Sequence, residues 1–301
     1  MLSESGLREV TGFYIYTNRF AGALPDGGMR AMLAVTAFSI GTNRFTGTLP
    51  ESGLREVTGF YIRVNRFTGT LPVHMLIRMK KVKKFWISRN SFTGAVPKDG
   101  MRAMMAVISF HLLTNSFTGS LPDSSIRAVT HFEVQDNHFT GSLPDGGMRA
   151  MRALGTLAAN ENRLAGMLPA GIFVKAVSRV YLYANFFAGT LPAALSRLSH
   201  ASSLALGHNY FEGPIPGSLE APAVLLNHNL LQGAIPRHLL DGRDALEKWV
   251  AVGGMLHEGT IPDSASRMTM KEVIMSFGHG LGGLLPSIPG TMSLLSLWEN
   301  A

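Results

Sequence analysis

Asn65-Arg66-Phe67-Thr68-Gly69-Thr70-Leu71-Pro72 decides the fold, because it is one of ten near-copies spread along 301 residues. The same frame opens at Asn18, Asn43, Asn90, Asn115, Asn137, Asn162, Asn185, Asn209 and Asn229. Met255 and His279 take the Asn position in two degenerate copies and Asn300 begins another, so 13 turns are expected at spacings of 20 to 26 residues. A period of that length marks stacked turns of a solenoid.

Working upstream from each Asn, apolar residues fall eight, five and three positions before it, as Val57, Phe60 and Ile62 do before Asn65 and Val82, Phe85 and Ile87 before Asn90. This alternation predicts a short strand with those side chains inward and the residues between them outward. The Asn is expected to be buried, pairing with backbone groups that neighbouring turns would leave unsatisfied. Working downstream, the Gly four residues on permits a sharp bend, and Leu-Pro or Ile-Pro favours an extended segment over helix.

The pattern resembles the plant-type leucine-rich repeat, L-x-x-L-x-L-x-x-N-x-L-x-G-x-I-P, over nearly the whole chain. Similar T-G-T-L-P repeats occur in surface proteins of some protists. The resemblance implies an α/β repeat solenoid: a right-handed coil with a concave parallel β-sheet, a mostly irregular or 3-10 convex side, and ligand recognition on the concave face. The Cys-bearing caps usual in extracellular members are missing, since the chain has no Cys.

Residues 1–301 read as one array without caps. Glu4–Ile15 is identical to Glu51–Ile62, and Asp26–Met32 returns as Asp145–Met151, so long and short repeats were copied as units. The array starts and stops inside a repeat, which is expected of a piece of a longer protein.

Aromatic residues sort by position. Of 17 Phe, six lie five before the ladder position and eight lie two after it, so 14 should stack inside. Five of the six Tyr and all three Trp (Trp86, Trp249, Trp298) fall on outward strand positions. Tyr and Trp suit binding surfaces because they combine contact area with a polar handle, although they are also good strand formers. The candidate ligand-binding residues on the concave face are Tyr14, Tyr16, Tyr61, Arg63, Trp86, Arg89, His111, Glu133, Tyr181 and Tyr183. Tyr14, Tyr16, Tyr61, Arg63, Lys84, Trp86 and Arg89 form an aromatic and basic cluster; Arg179, Tyr181 and Tyr183 form a second. His111, His131, Glu133, Asp136 and Glu161 read as a mixed stretch between the two.

Other signals weigh less. Arg30, Arg55, Arg102, Arg127, Arg149, Arg197 and Arg267 stand twelve residues after the ladder position. They read as solvated consensus residues, with a basic stripe for anionic lipid, glycan or nucleic acid as the sharper alternative. The run Arg78–Lys84 is interrupted by Met79 and Val82 at core spacing, and Gly278–Gly283 matches G-x-G-x-x-G only by letter, without a βαβ frame. His208 and His228 should lie near each other, too few for a metal site.

The net charge of +7 is too diffuse to favour a nucleic-acid partner. No apolar run approaches ~18 residues, and no apolar signal core opens the chain. No catalytic motif is present and no cofactor is implied. The expected function is a recognition module of a receptor-like or cell-surface protein, with a protein, peptide or glycan as partner. A structural coat or adhesion repeat, or the ectodomain piece of a receptor kinase, stays open, as does a cytoplasmic placement.

Overall fold

In a computed structural model, each of the first ten turns opens with a three-residue strand at the expected place. Residues 7–217, 219, 223–233 and 236 are described, other than 52–53, 124–125, 174–175 and 199–200. The backbone of strands Trp249–Gly254, Glu272–Phe277 and Leu294–Glu299 is described as well. Two compact units result, Met1–Arg163 and Leu164–Ala301.

In the first unit, strands Gly12–Tyr14, Ala37–Ser39, Gly59–Tyr61, Lys84–Trp86, Ser109–His111, His131–Glu133 and Thr156–Ala158 pair in parallel as a first sheet. Their register stacks one residue of each turn upon the same residue of the next: Phe13, Phe38, Phe60, Phe85, Phe110 and Phe132 run in a single column. Ring centroids there lie 5.4–5.6 Å apart and near-parallel.

A second column, Phe20, Phe45, Phe67, Phe92, Phe117 and Phe139, has rings 6.0–6.4 Å apart. The wider spacing means that turns of this unit fan open away from the first sheet, which places that sheet on the inside of its curve. Phe20, at the start of the array, is 50% exposed, whereas Phe67, Phe92, Phe117 and Phe139 are fully buried.

The ladder Asn residues do what burial demands. Asn137 accepts at Oδ1 from the Phe117 N–H (3.0 Å) in the preceding turn. Its Nδ2 donates to the carbonyls of Leu112 (3.2 Å) in that turn and of Val134 (3.2 Å) and Gln135 (3.1 Å) in its own. Asn43, Asn65, Asn90, Asn115 and Asn162 repeat this pattern. The residue before each Asn, such as Val64 or Arg89, adopts a left-handed conformation, with φ between 53° and 57° from Thr17 to His228. Without that sharp turn the strand would carry the Asn past its partners.

The side away from the first sheet departs from the mostly irregular or 3-10 expectation in two ways. First, the segment after each Asn forms a second parallel sheet, with strands Arg44–Gly47, Arg66–Gly69, Ser91–Gly94, Ser116–Ser120 and His138–Gly141. It ends at the turn glycine: Gly69 has φ +76°, and a Cβ there would meet the Thr48 methyl at 2.7 Å.

Second, repeat length sets the remaining arc. The 25-residue repeats that follow Asn18, Asn65, Asn90 and Asn137 carry helices α1 (Asp26–Ala31), α2 (Val73–Arg78), α3 (Lys98–Ala103) and α4 (Asp145–Ala150). The 22-residue repeats after Asn43 and Asn115 carry none among the described residues. A helix advances only ~1.5 Å per residue, so coiling absorbs the extra residues over a fixed arc. The Leu-Pro step ends the extended segment as expected, but the chain turns helical directly after it, with Pro25, Pro72, Pro97 and Pro144 as extended N-caps. Buried Met29, Met101 and Met148 anchor α1, α3 and α4.

The second unit holds strands Arg179–Tyr181, Ser203–Ala205 and Ala223–Leu225 in parallel, continued by the three later strands. Strands Phe186–Thr190, Tyr210–Pro214 and Leu230–Gln232 form its second sheet. Here the arcs carry 3-10 helices, Ala170–Ile172 and Ala193–Leu198, as expected. The side chains of Trp249 and Trp298, the degenerate positions Met255 and His279, Arg267, Asn300 and Gly278–Gly283 lie outside the described residues.

Candidate functional site

The first sheet presents one outward row in which chemistry accumulates. Tyr61, Trp86, His111 and Glu133 are direct neighbours on four successive strands, and Tyr14 lies two strands before Tyr61, beyond Ser39. Each occupies the position four before its ladder Asn, so strand alternation turns them all outward.

The aromatic groups pack on one another. The Tyr61 ring meets Trp86 edge-on at 5.1 Å, and Trp86 stacks on His111 at 5.0 Å with an interplanar angle of 5°. Arg63 and Lys84 bring cations to 5.7 and 6.0 Å from the Trp86 ring, within cation–π range. Tyr61 lies flat because residue 59 is Gly: a Cβ there would come 2.6 Å from the ring.

Beneath the aromatics, the indole Nε1–H of Trp86 donates to Ser109 Oγ at 2.8 Å. Ser109 Oγ is 2.8 Å from His111 Nε2, where the hydroxyl donates or accepts according to the imidazole tautomer. Burial, then the nearby His131 and Arg63, hold the His111 pKa down at about 4, in agreement with a neutral ring. Glu133 Oε1, 3.7 Å from the same nitrogen, is therefore not an ion-pair partner near neutral pH. Burial, with Tyr14 adding to it, raises the Tyr61 pKa, so its phenol stays protonated as a donor.

Ser109, His111 and Glu133 are the residue types of a nucleophilic triad, but the geometry does not make one. Serine and carboxylate both approach Nε2, whereas a relay needs them on opposite ring nitrogens. The hydroxyl is also buried and already engaged with Trp86.

Sequence reasoning separated His111 and Glu133 from the aromatic cluster, and the structure joins them to it. It missed Ser109, whose only signal is its place two residues before His111 on the same strand face. It also missed Gln135, whose buried Oε1 has no hydrogen-bond partner among the described residues. Tyr14 and Tyr16 are 60% and 59% exposed, and Arg63 is exposed beside Trp86. Arg89 stands apart from the row, exposed on the left-handed residue just before Asn90.

In the second unit, Tyr181 ends strand Arg179–Tyr181 and Tyr183 follows it, both half-buried. His208 and His228 stack there at 4.1 Å, and no group of three metal-ligating side chains exists among the described residues. No helix among the described residues is long and apolar enough to cross a membrane.

No family model matches the chain. Receptor-like protein 35 of Arabidopsis thaliana is 28% identical over 131 residues, which are 41% of this chain and 14% of that protein. The crystal structure of a TDR receptor superposes with a TM-score of 0.79 at 21% identity, covering 97% of this chain and 60% of that one. The leucine-rich-repeat ectodomain of the Arabidopsis receptor kinase HAESA, solved with an IDA peptide hormone ligand, gives a TM-score of 0.79 at 24% identity. That match covers 94% of this chain and 48% of HAESA's. The chain thus has the leucine-rich-repeat fold of plant receptor ectodomains, and it spans only part of the proteins it resembles.

Proposed function

We propose that the chain is the ligand-recognition module of a receptor-like protein at the cell surface, and that it holds an extended peptide or glycan along its first sheet. The observation that carries this reading is the outward row Tyr61–Trp86–His111–Glu133 with Arg63 and Lys84 beside it. Tyr, Trp and Arg are the residue types that dominate binding energy at interfaces. One relative in sequence is a receptor-like protein, and the HAESA ectodomain was solved with a peptide hormone bound, which supports both the partner class and an extracellular placement. The module binds rather than catalyses; any enzymatic activity would belong to another part of a larger protein. The candidate row is Tyr14, Tyr61, Trp86, His111 and Glu133, with Tyr16 and Arg63 at its edge and Arg89 apart from it; Tyr181 and Tyr183 are separate candidates on the second unit.

Selection of binders from a random-peptide display library and a glycan array tests this. Binders of the parent chain should lose ~10-fold or more in affinity for Trp86→Ala and Tyr61→Ala. Equal affinity for parent and variants would sink the reading. It would favour a structural coat, which the identical copies Glu4–Ile15 and Glu51–Ile62 also fit.

A further inference from the structure

The arginines twelve residues after the ladder position do not behave alike. Arg30, Arg102 and Arg149 each face an aspartate of their own helix, Asp26, Asp99 and Asp145, at 2.8, 4.0 and 2.9 Å. Such exposed pairs add little stability, but each offsets a positive charge. Arg55 differs, and so does Arg78, which stands thirteen residues after Asn65 in the next turn. Helix α2, which ends in Arg78, has no acid in its first turn. No carboxylate among the described residues pairs with either guanidinium. Glu56, adjacent to Arg55, is taken by Lys81.

Repeat length explains what these two arginines face. The short repeat between α1 and α2 has no helix of its own among the described residues. An open groove of about 440 Å³ lies there, with Arg30, Arg55, Arg78, His74 and Glu51 around a floor of Leu33 and Leu54. Leu54 is held in the left-handed region (φ +58°) with its side chain buried, and Arg55, the next residue, is exposed. A left-handed leucine costs ~1–2 kcal/mol. Guanidiniums from three successive turns thus line one cavity with the Glu51 carboxylate, Arg30 already facing Asp26.

We propose that this groove on the helix-bearing side of the first unit is a second binding site, for a sulfated polysaccharide. The planar guanidinium fork matches the paired oxygens of a sulfate ester. One cation per turn suits a polymer carrying charge at regular intervals, and the groove is open for a chain to pass through. Leu33, half exposed, offers an apolar patch to the C–H face of a sugar ring. No Phe, Tyr or Trp lines the groove, so the His74 imidazole is the one ring that a base of single-stranded nucleic acid would find to stack on. The site is independent of the row on the first sheet.

Calorimetric titration of the full chain with a heparin oligosaccharide in low-salt buffer tests the proposal. Binding should weaken with salt and fall ~10-fold or more in the double variant R55A/R78A. R55K/R78K keeps the charge but loses the fork, and should recover only part of that affinity. Arg127→Ala, an exposed arginine of the other short repeat, should bind like the parent. Thermal melts of each variant establish that it is folded. Unchanged affinity in R55A/R78A overturns the site, as does an equal loss in Arg127→Ala. A thymidine oligonucleotide that competes as well as heparin would reduce the groove to general polyanion attraction, and overturns it too.

Discussion

At the residue scale, a ladder Asn has no polar atom left for a ligand. Asn137, 5% exposed, satisfies one N–H and three carbonyls across two turns. Removing its amide strands the Phe117 N–H in an apolar stack, so Asn137→Ala should lose ~2–4 kcal/mol, read from urea unfolding. His111 gives a second expectation. Its folded pKa of about 4 lies below the 6.5 of an unperturbed His, chiefly because the ring is buried. The unfolded chain then takes up a proton that the folded chain refuses. Stability is full above pH 6.5 and falls as pH drops from there toward 4, by up to ~3 kcal/mol. His111→Phe should flatten that part of the profile, and an unchanged slope of the urea midpoint against pH would contradict it. What sequence could not supply here was Ser109. A serine on an outward strand position has no meaning until the chains on either side are known to bring Trp86 and His111 to it.

At the scale of elements, the strands of the first sheet were legible from alternation alone, because two-residue periodicity survives in every turn. The helices were not. Their only signal is that some repeats are three residues longer than others, and length by itself does not say whether extra chain will coil or bulge. The second sheet was hidden for another reason: in N-R-F-T-G only three residues alternate before the glycine ends the run. Packing between helices supplies a test. A Cβ on Gly100 of α3 would stand 2.8 Å from Leu76 Cβ and 2.7 Å from its Cδ1, on helix α2. Gly100→Ala should therefore cost ~1–3 kcal/mol despite its gain in helix propensity. In α4, Gly146, at the place Asp99 takes in α3, faces only the Asp123 carboxylate at 3.2 Å, a side-chain tip that can move. Gly146→Ala should be neutral or stabilising by up to ~1 kcal/mol, and comparing the two midpoints in denaturant separates packing from propensity.

On the scale of the whole molecule, stability resides in the interfaces between one turn and the next, as in other solenoids. A change in the interior should therefore cost far more than the same change at an end. Phe67→Ala, fully buried between Phe45 and Phe92, is expected to lose ~3–5 kcal/mol. Phe20→Ala, half exposed with one stacked neighbour, should lose under ~1 kcal/mol by the same guanidinium titration. The candidate row was half legible: outward Tyr and Trp are visible in sequence, but which of them touch depends on register across strands that are 20 or more residues apart. The Asn ladder has one more consequence. Asn43, Asn65, Asn90, Asn115, Asn137 and Asn162 each reach back to the preceding turn as well as bonding within their own, and the partners are backbone atoms, which every residue type possesses. The ladder across a seam is therefore blind to which turns it joins. A gene coding for such a chain can gain or lose a whole long-short pair in a single recombination and leave the ladder unbroken at the junction. Copy number then becomes a heritable variable that selection can adjust separately from the side chains on the outward rows.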